Sequence, residues 1–266
     1  MAATADSLLN RSAIRPANWP VRFAWLAFAL YFAYALSHLE LTPARFFAGL
    51  DYGYKFIAKL FPPDFHRWEL LLKGLKESLE IAILASVLGL VISLPVSLLA
   101  ARNLMPTWVT WPARLLMVLC RSFHPVIIAI LFVKAVGFGA LAGILALMVA
   151  SLGFLGKLFT EAIEEISLKQ VEAVRATGAP FMSVIAFGVL PQVFSRFIGF
   201  ASYELDSNLR NSTMVGIVGA GGIGGTLFAA FQRFDYDFVC AIILTIIAMI
   251  IVGEVLTHAA KKVFRA

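Results

Sequence analysis

From about Leu79 to Ala101 the chain carries a single formal charge, Glu80. A charge-poor run longer than about 20 residues is the length a helix needs to cross a bilayer. Lipid offers no hydrogen bonds, so such a run must pair its own backbone groups, and that makes it helical. Two more runs of this kind follow, Ala140 to Phe159 and Phe238 to Thr257. Composition agrees. Of the 266 residues, 61% are hydrophobic and only 14% charged, where a soluble domain carries about a quarter. The net charge of +6 is therefore read as basic loops facing anionic lipid, and nucleic acid is not expected as a partner.

The expected fold is an all-α polytopic membrane protein with about six transmembrane helices. The first span runs Phe23 to Leu39, between Arg22 and Glu40, after a polar tail that shows no cleavage site and is read as retained. A linker over residues 40–74 holds Phe46, Phe47, Leu50, Tyr54, Ile57 and Leu60 at helical spacing, which suggests an interfacial helix ended by Pro62-Pro63. The second span is Leu79 to Ala101, with Pro95 inside it. The third runs Trp111 to about Val136 and holds Arg121, His124 and Pro125; Arg121 would lie near the membrane middle. Ala140 to Phe159 is the fourth, with Gly143, Gly153 and Gly156 permitting close helix contact. The fifth runs about Gln192 to Val218 and the sixth Phe238 to Thr257, and short tails cover residues 1–22 and 259–266.

Between the fourth and fifth spans lies the most charged stretch of the second half, Glu161 to Pro191. Ile163, Ile166, Val171 and Val174 give one apolar face, with Glu161, Glu164, Glu165, Lys169, Glu172 and Arg175 mostly off it. Ser167 is expected to cap a second short helix through its hydroxyl. Gly178 suits a left-handed C′ position, and Ala179-Pro180 blocks continuation. The pattern is helix, break, helix, turn. The physics alone allows either a peg for a soluble subunit or an interfacial loop without one.

The fifth span places Glu204, Asp206, Asn208, Arg210 and Asn211 within one short stretch, followed by Ser212 and Thr213. Lipid does not tolerate that set, so the helix must face protein or a water-filled path. Asp206 with Arg210, and Glu204 with Asn208, are spaced i, i+4. Either these pairs neutralise one another and hold helices together, or Arg210 and Asn208 line a route for an anion. Arg121 is a second candidate for such a route, while Lys134 reads as an interfacial snorkelling lysine.

Gly219-Ala220-Gly221-Gly222-Ile223-Gly224 matches G-x-G-x-x-G, but no strand precedes it and no βαβ unit surrounds it. A flexible turn hugging the outer mouth is the expectation. Cys120 and Cys240 lie in apolar runs, the four histidines are scattered, and neither a metal set nor a catalytic constellation is present in the sequence. Any ATP hydrolysis would belong to another chain.

The spacing within Glu161 to Pro191 resembles the docking loop of ABC importer permeases, E-A-A, three residues, Gly, nine residues, Ile-x-Leu-Pro. Glu172, Ala173 and Val174 open it, Gly178 follows, and Gly188, Val189, Leu190 and Pro191 close it, with Val174 for Ala and Gly188 for Ile as departures. Further stretches, GKLFTEAIEEI from Gly156, NLRNSTMVGIVGAGGIGG from Asn208 and FDYDF from Phe234, are similar to the permease subunit of phosphonate-type importers. His124-Pro125 fits that pattern least well.

The resemblance implies a type I ABC importer transmembrane domain over residues 75–258, in a bacterial plasma (inner) membrane, with both termini cytoplasmic. It implies a second permease chain, two ATP-binding subunits and an extracytoplasmic substrate-binding protein. The chain itself would bind no cofactor, with ATP and Mg used by the partner ATPase. Coupling to that ATPase falls on Glu161, Glu165, Glu172, Ala173, Gly178, Leu190 and Pro191. The path for a phosphonate or related oxyanion falls on Arg121, Asp206, Asn208, Arg210, Ser212 and Thr213. Gly219, Gly221, Gly222 and Gly224 would meet the binding protein or form the outer gate. A secondary transporter is the competing reading, and it would need inverted repeats that the sequence does not display.

Overall fold

A computed structural model describes residues 19–39 and 42–264. The tail arginines Arg11 and Arg15, and the side chains of Lys261, Lys262 and Arg265, lie outside the described residues. The chain divides into two units, residues 1–58 and 59–266.

The first unit holds α1, Trp19–His38, and most of α2, Pro43–Leu60. α1 is apolar on every side and carries aromatic neighbours at helical spacing, Phe28 and Phe32 stacking at 6.2 Å. α2 is amphipathic and bears an Asp51–Lys55 ion pair at i, i+4. It ends just before Phe61, in line with the expected stop at the proline pair.

Helices are the regular elements of the second unit among its described residues: α3, Trp68–Ala100; α4, Thr107–Ser122; α5, Pro125–Val136; α6, Ala140–Glu164; α7, Leu168–Ala176; α8, Phe181–Val184; α9, Leu190–Ile217; α10, Ile223–Gln232; and α11, Tyr236–Phe264. α3 and α6 form its central pair. The face α3 turns inward is built from small residues, Gly74, Ser78, Ala82, Ala85, Ser86, Gly89, Ser93 and Ser97. Small side chains let backbones come close enough for dispersion to hold helices together in lipid, where the hydrophobic effect does not. At Gly89 a β-carbon would overlap Ser151 of α6, and at Gly156 it would press on the Met117 sulfur at 2.8 Å.

Among the described residues, five helices or continuous helical stretches are long and apolar enough to cross a membrane, and a sixth span appears only if α4 and α5 are joined. That pair is where the structure departs from the expected single third span, because it turns by 92°. Proline pushes the residue before it out of helical geometry and cannot donate its own nitrogen. His124 accordingly sits at φ −66°, ψ 141°, with Pro125 opening α5 and the His124 ring accepting from Val126 N. Arg121 thus lies in the last turn of a broken helix rather than inside a continuous one.

The other correction concerns the start of the fifth span. Residues Phe181–Ile217 form one continuous helical stretch, so the helix begins well before the expected start near Gln192. Ile185–Val189 forms a π-helical turn just before Pro191. A proline ring clashes with the carbonyl of an α-helical turn, and one wider turn accommodates it.

Candidate functional site

The stretch from Glu161 to Pro191 folds as a compact hairpin against the ends of α6 and α9. Its apolar face points inward. Ile163 and Val171 are fully buried with Phe159, Val184, Val189 and Phe197, and Ile166 and Val174 pack on that cluster. Phe159 stacks on Phe197 with centroids 4.1 Å apart. The outward face is therefore the polar one, on which Glu172, Ala173, Arg175, Ala176 and Thr177 are all exposed. Gly178 has φ +76° with open space around its α-carbon, so here the conformation and not the packing demands glycine. Gly188, the departure from Ile in the motif, has Val171 Cα 3.3 Å from where a β-carbon would stand. Glycine there lets α7 lie on the π turn.

Polar clamps hold the hairpin, and sequence reasoning missed most of them. Ser167 stands at the N-cap of α7, but its hydroxyl makes no capping bond. Gln192 does the tying instead. Its Oε1 accepts from Ser167 N at 2.9 Å, and its Nε2 donates to Ser167 O at 3.3 Å and to Gly188 O at 2.6 Å. Its position one residue after Pro191 is the only signal the sequence offered. Glu165 pairs with Arg196 at 2.6 Å. Glu164 accepts from Arg114 at 2.6 Å and from Arg102 N at 2.8 Å, so the hairpin's base is bound to α4 and to the α3–α4 connection. Glu161 lies within α6 and pairs with Lys157 at 3.4 Å. Leu190 and Pro191 open α9.

Along α9 the expected path residues separate into two groups. Asn208 is buried and donates to Ser86 Oγ at 3.0 Å and Ser151 Oγ at 2.9 Å, while Ser151 donates to Glu204. This network joins α3, α6 and α9, so Asn208 faces the interior of the helix group, away from Arg210. Ser151 bridges Glu204 and Asn208, the pair spaced i, i+4. Ser212 is buried and donates to Leu209 O, and Thr213 is buried with its hydroxyl unpartnered. Arg210 lies on the other side of α9. It is about half exposed and pairs with Asp206 at 2.8 Å, whose Oδ1 is buried and has no hydrogen-bond partner. Tyr203, Ser207, Arg210 and Met214 recur at helical spacing along this more open face.

The glycine segment is not a flexible turn. Gly219, Gly221 and Gly222 have φ of +89°, +81° and +83°, and Gly224 lies in the first turn of α10. Around each of them a β-carbon would collide. Gly221 faces Ala140 N at 2.7 Å, Gly222 faces Ser78 Oγ at 2.5 Å, and Gly224 would overlap the Thr213 carbonyl. Ser78 Oγ also accepts from Ile223 N at 2.9 Å. The turn is wedged between α3, the start of α6 and the end of α9.

The sequence pattern of the family described as binding-protein-dependent transport system inner membrane component matches residues 93–265. The phosphite transport system permease protein PtxC of Stutzerimonas stutzeri is 42% identical over 205 residues, covering 77% of this chain and 74% of the relative. The phosphate-import permease protein PhnE of Mycolicibacterium smegmatis is 35% identical over 214 residues, covering 80% of this chain but only 40% of that longer protein. Among solved structures, an inward-facing MetNI methionine ABC transporter chain aligns with a TM-score of 0.66 at 22% identity, over 74% of this chain and 97% of that one. At that identity the likeness speaks for the fold.

Proposed function

Because the chain belongs to the family of binding-protein-dependent transport system inner membrane components, we propose that it is the permease subunit of an ABC importer that carries a small phosphorus oxyanion across the inner membrane. The substrate class follows the phosphite and phosphate relatives. The observation that carries the reading is the hairpin's outward face, Glu172 to Gly178. It is polar, exposed and rigidly mounted on α6 and α9 through Gln192 and Arg196. An ATPase subunit docking there would push on two spans at once, since α9 continues from the hairpin without a break. ATP and Mg are consumed by that partner, and this chain performs no catalysis.

The full machine has a second permease chain, two ATPase subunits and an extracytoplasmic binding protein, with the hairpin and both termini in the cytoplasm. The path runs along the open face of α9, where Arg210 offers a planar, bidentate donor to a tetrahedral anion. The complex reconstituted in proteoliposomes should take up labelled phosphite or phosphate only with ATP. Uptake that a proton uncoupler abolishes at constant ATP would replace the reading with a secondary transporter. Arg210 is tested by a pair of variants. If it only balances Asp206, Arg210→Gln should fail and Arg210→Gln with Asp206→Asn should recover. If it serves the anion, the double variant assembles and still does not import.

A further inference from the structure

A cavity of about 200 Å³ lies between α4 and α6, several times the roughly 30 Å³ of a water molecule. The two helices run antiparallel along it. Arg114 meets Glu164 at one end, and Arg121 rests on Gly153 at the other, its Cγ 2.6 Å from where a glycine β-carbon would stand. Gly153 is near the middle of the 25-residue α6, so Arg121 sits about halfway along that helix. Lys157 stands one turn nearer the Glu164 end and lines the same cavity.

The charges do not balance. Arg114 is held by Glu164 at 2.6 Å, and Lys157 leans on Glu161 at 3.4 Å, with both of the latter side chains about half exposed. Arg121 pairs with no carboxylate among the described residues, while three cations and two carboxylates share the space. Arg121 is exposed and lies on one half of the bent α4–α5 pair, and a guanidinium within a span is costly unless an anion or water meets it, so it marks a candidate anion site. The geometry points to a binding station for a tetrahedral phosphorus oxyanion between Arg121 and Lys157, separate from Arg210. Arg121 supplies a planar fork and Lys157 a point charge. The Lys157–Glu161 pair makes the lysine a releasable partner, which suits a station that must also let its anion go. The assignment to transport rests on the importer reading above. The same chemistry could also be met by the phosphate of an anionic lipid.

The experiment uses the complete complex in nanodiscs, without nucleotide, with radiolabelled inorganic phosphate and phosphite as probes. In phosphatidylcholine discs the wild type should bind. Arg121→Gln should lower affinity by about tenfold to a hundredfold, the loss of one charged hydrogen-bonding partner, and Lys157→Gln by less. Arg121→Lys should recover part of it, and Lys134→Gln, on α5 outside the cavity, should change nothing. Co-purification with the ATPase subunit checks that each variant assembles. Binding unchanged in both Arg121→Gln and Lys157→Gln overturns the station. In discs containing phosphatidylglycerol, Arg121-dependent lipid retention without any phosphate binding in phosphatidylcholine discs would give the site to a lipid headgroup and overturn its part in transport. Failure of the wild type to import either anion would strike the importer reading itself. Import by the wild type that Arg121→Gln matches in full would break the station alone.

Discussion

The segments before and after α9 both carry glycines, and those glycines are needed for opposite reasons. At the hairpin end Gly178 stands in open space at φ +76°, needed for its conformation alone. At the other end Gly224 lies within the first turn of α10 and has no unusual φ; it is needed because a β-carbon would occupy the Thr213 carbonyl. One glycine shapes a surface, and the other closes an interior. A loop can dock a partner only with atoms it shows, so the hairpin is the better docking element and the glycine turn belongs to packing.

Replacing Gly224 with Leu should give the largest effect. The collision is with backbone, which cannot rotate away, so α10 must lift from α9 at a cost of about 3 kcal/mol or more. We expect the permease to be depleted from membranes and to melt earlier in detergent. Normal abundance and melting, with only the response to the binding protein lost, would return the turn to the surface.

Gly178→Val should cost less and act locally. A β-branched residue in the left-handed region loses about 1–2 kcal/mol, but nothing nearby is displaced. The permease should insert and melt almost normally while ATPase co-purification and uptake fall. Gly178→Asn, which tolerates that region, should be milder. Full ATPase retention by the valine variant would break the assignment of the hairpin.

Much of this contrast was legible in the sequence, and the rest was not for identifiable reasons. The apolar runs marked the spans because the bilayer fixes their length and charge. The motif spacing located the hairpin. Its inward apolar face could be seen as a stripe, yet nothing in a stripe says whether a partner or the chain itself covers it. The buried network of Asn208 was read as a possible route because polarity in a span signals function and structure equally. Its partners Ser86 and Ser151 lie on other helices, beyond the reach of i, i+4 reasoning. The third span was read through His124-Pro125, because a proline inside an apolar run does not by itself say whether the helix kinks or turns by 92°.

Gln192→Ala tests whether the hairpin's rigidity is separate from the rest of α9. Its side chain holds Ser167 and Gly188 together through three hydrogen bonds, with an expected net loss of about 1–2 kcal/mol. Hydrogen exchange should quicken over residues 167–190 and stay unchanged over 219–224. Equal quickening at both ends would mean that α9 transmits the loss along its length, and the two loops would no longer be independent.

The smallest effect on stability is expected for Glu165→Gln. Its partner Arg196 lies 2.6 Å away, but the two side chains are 66% and 51% exposed, so water and salt screen the pair. Exposed pairs contribute at most about 1 kcal/mol, and melting should scarcely move. Docking offers a different readout. If Glu165 belongs to the surface an ATPase meets, its loss should weaken ATPase co-purification more than it weakens the fold, and most at low ionic strength, where charges act beyond about 10 Å. Arg196→Gln removes the same ion pair and leaves the carboxylate in place. Were both variants to weaken docking equally, the pair would act by holding the hairpin. A deficit confined to Glu165→Gln would make that carboxylate part of the docking surface, a role that no charged residue is expected to play in the glycine turn at the far end of α9.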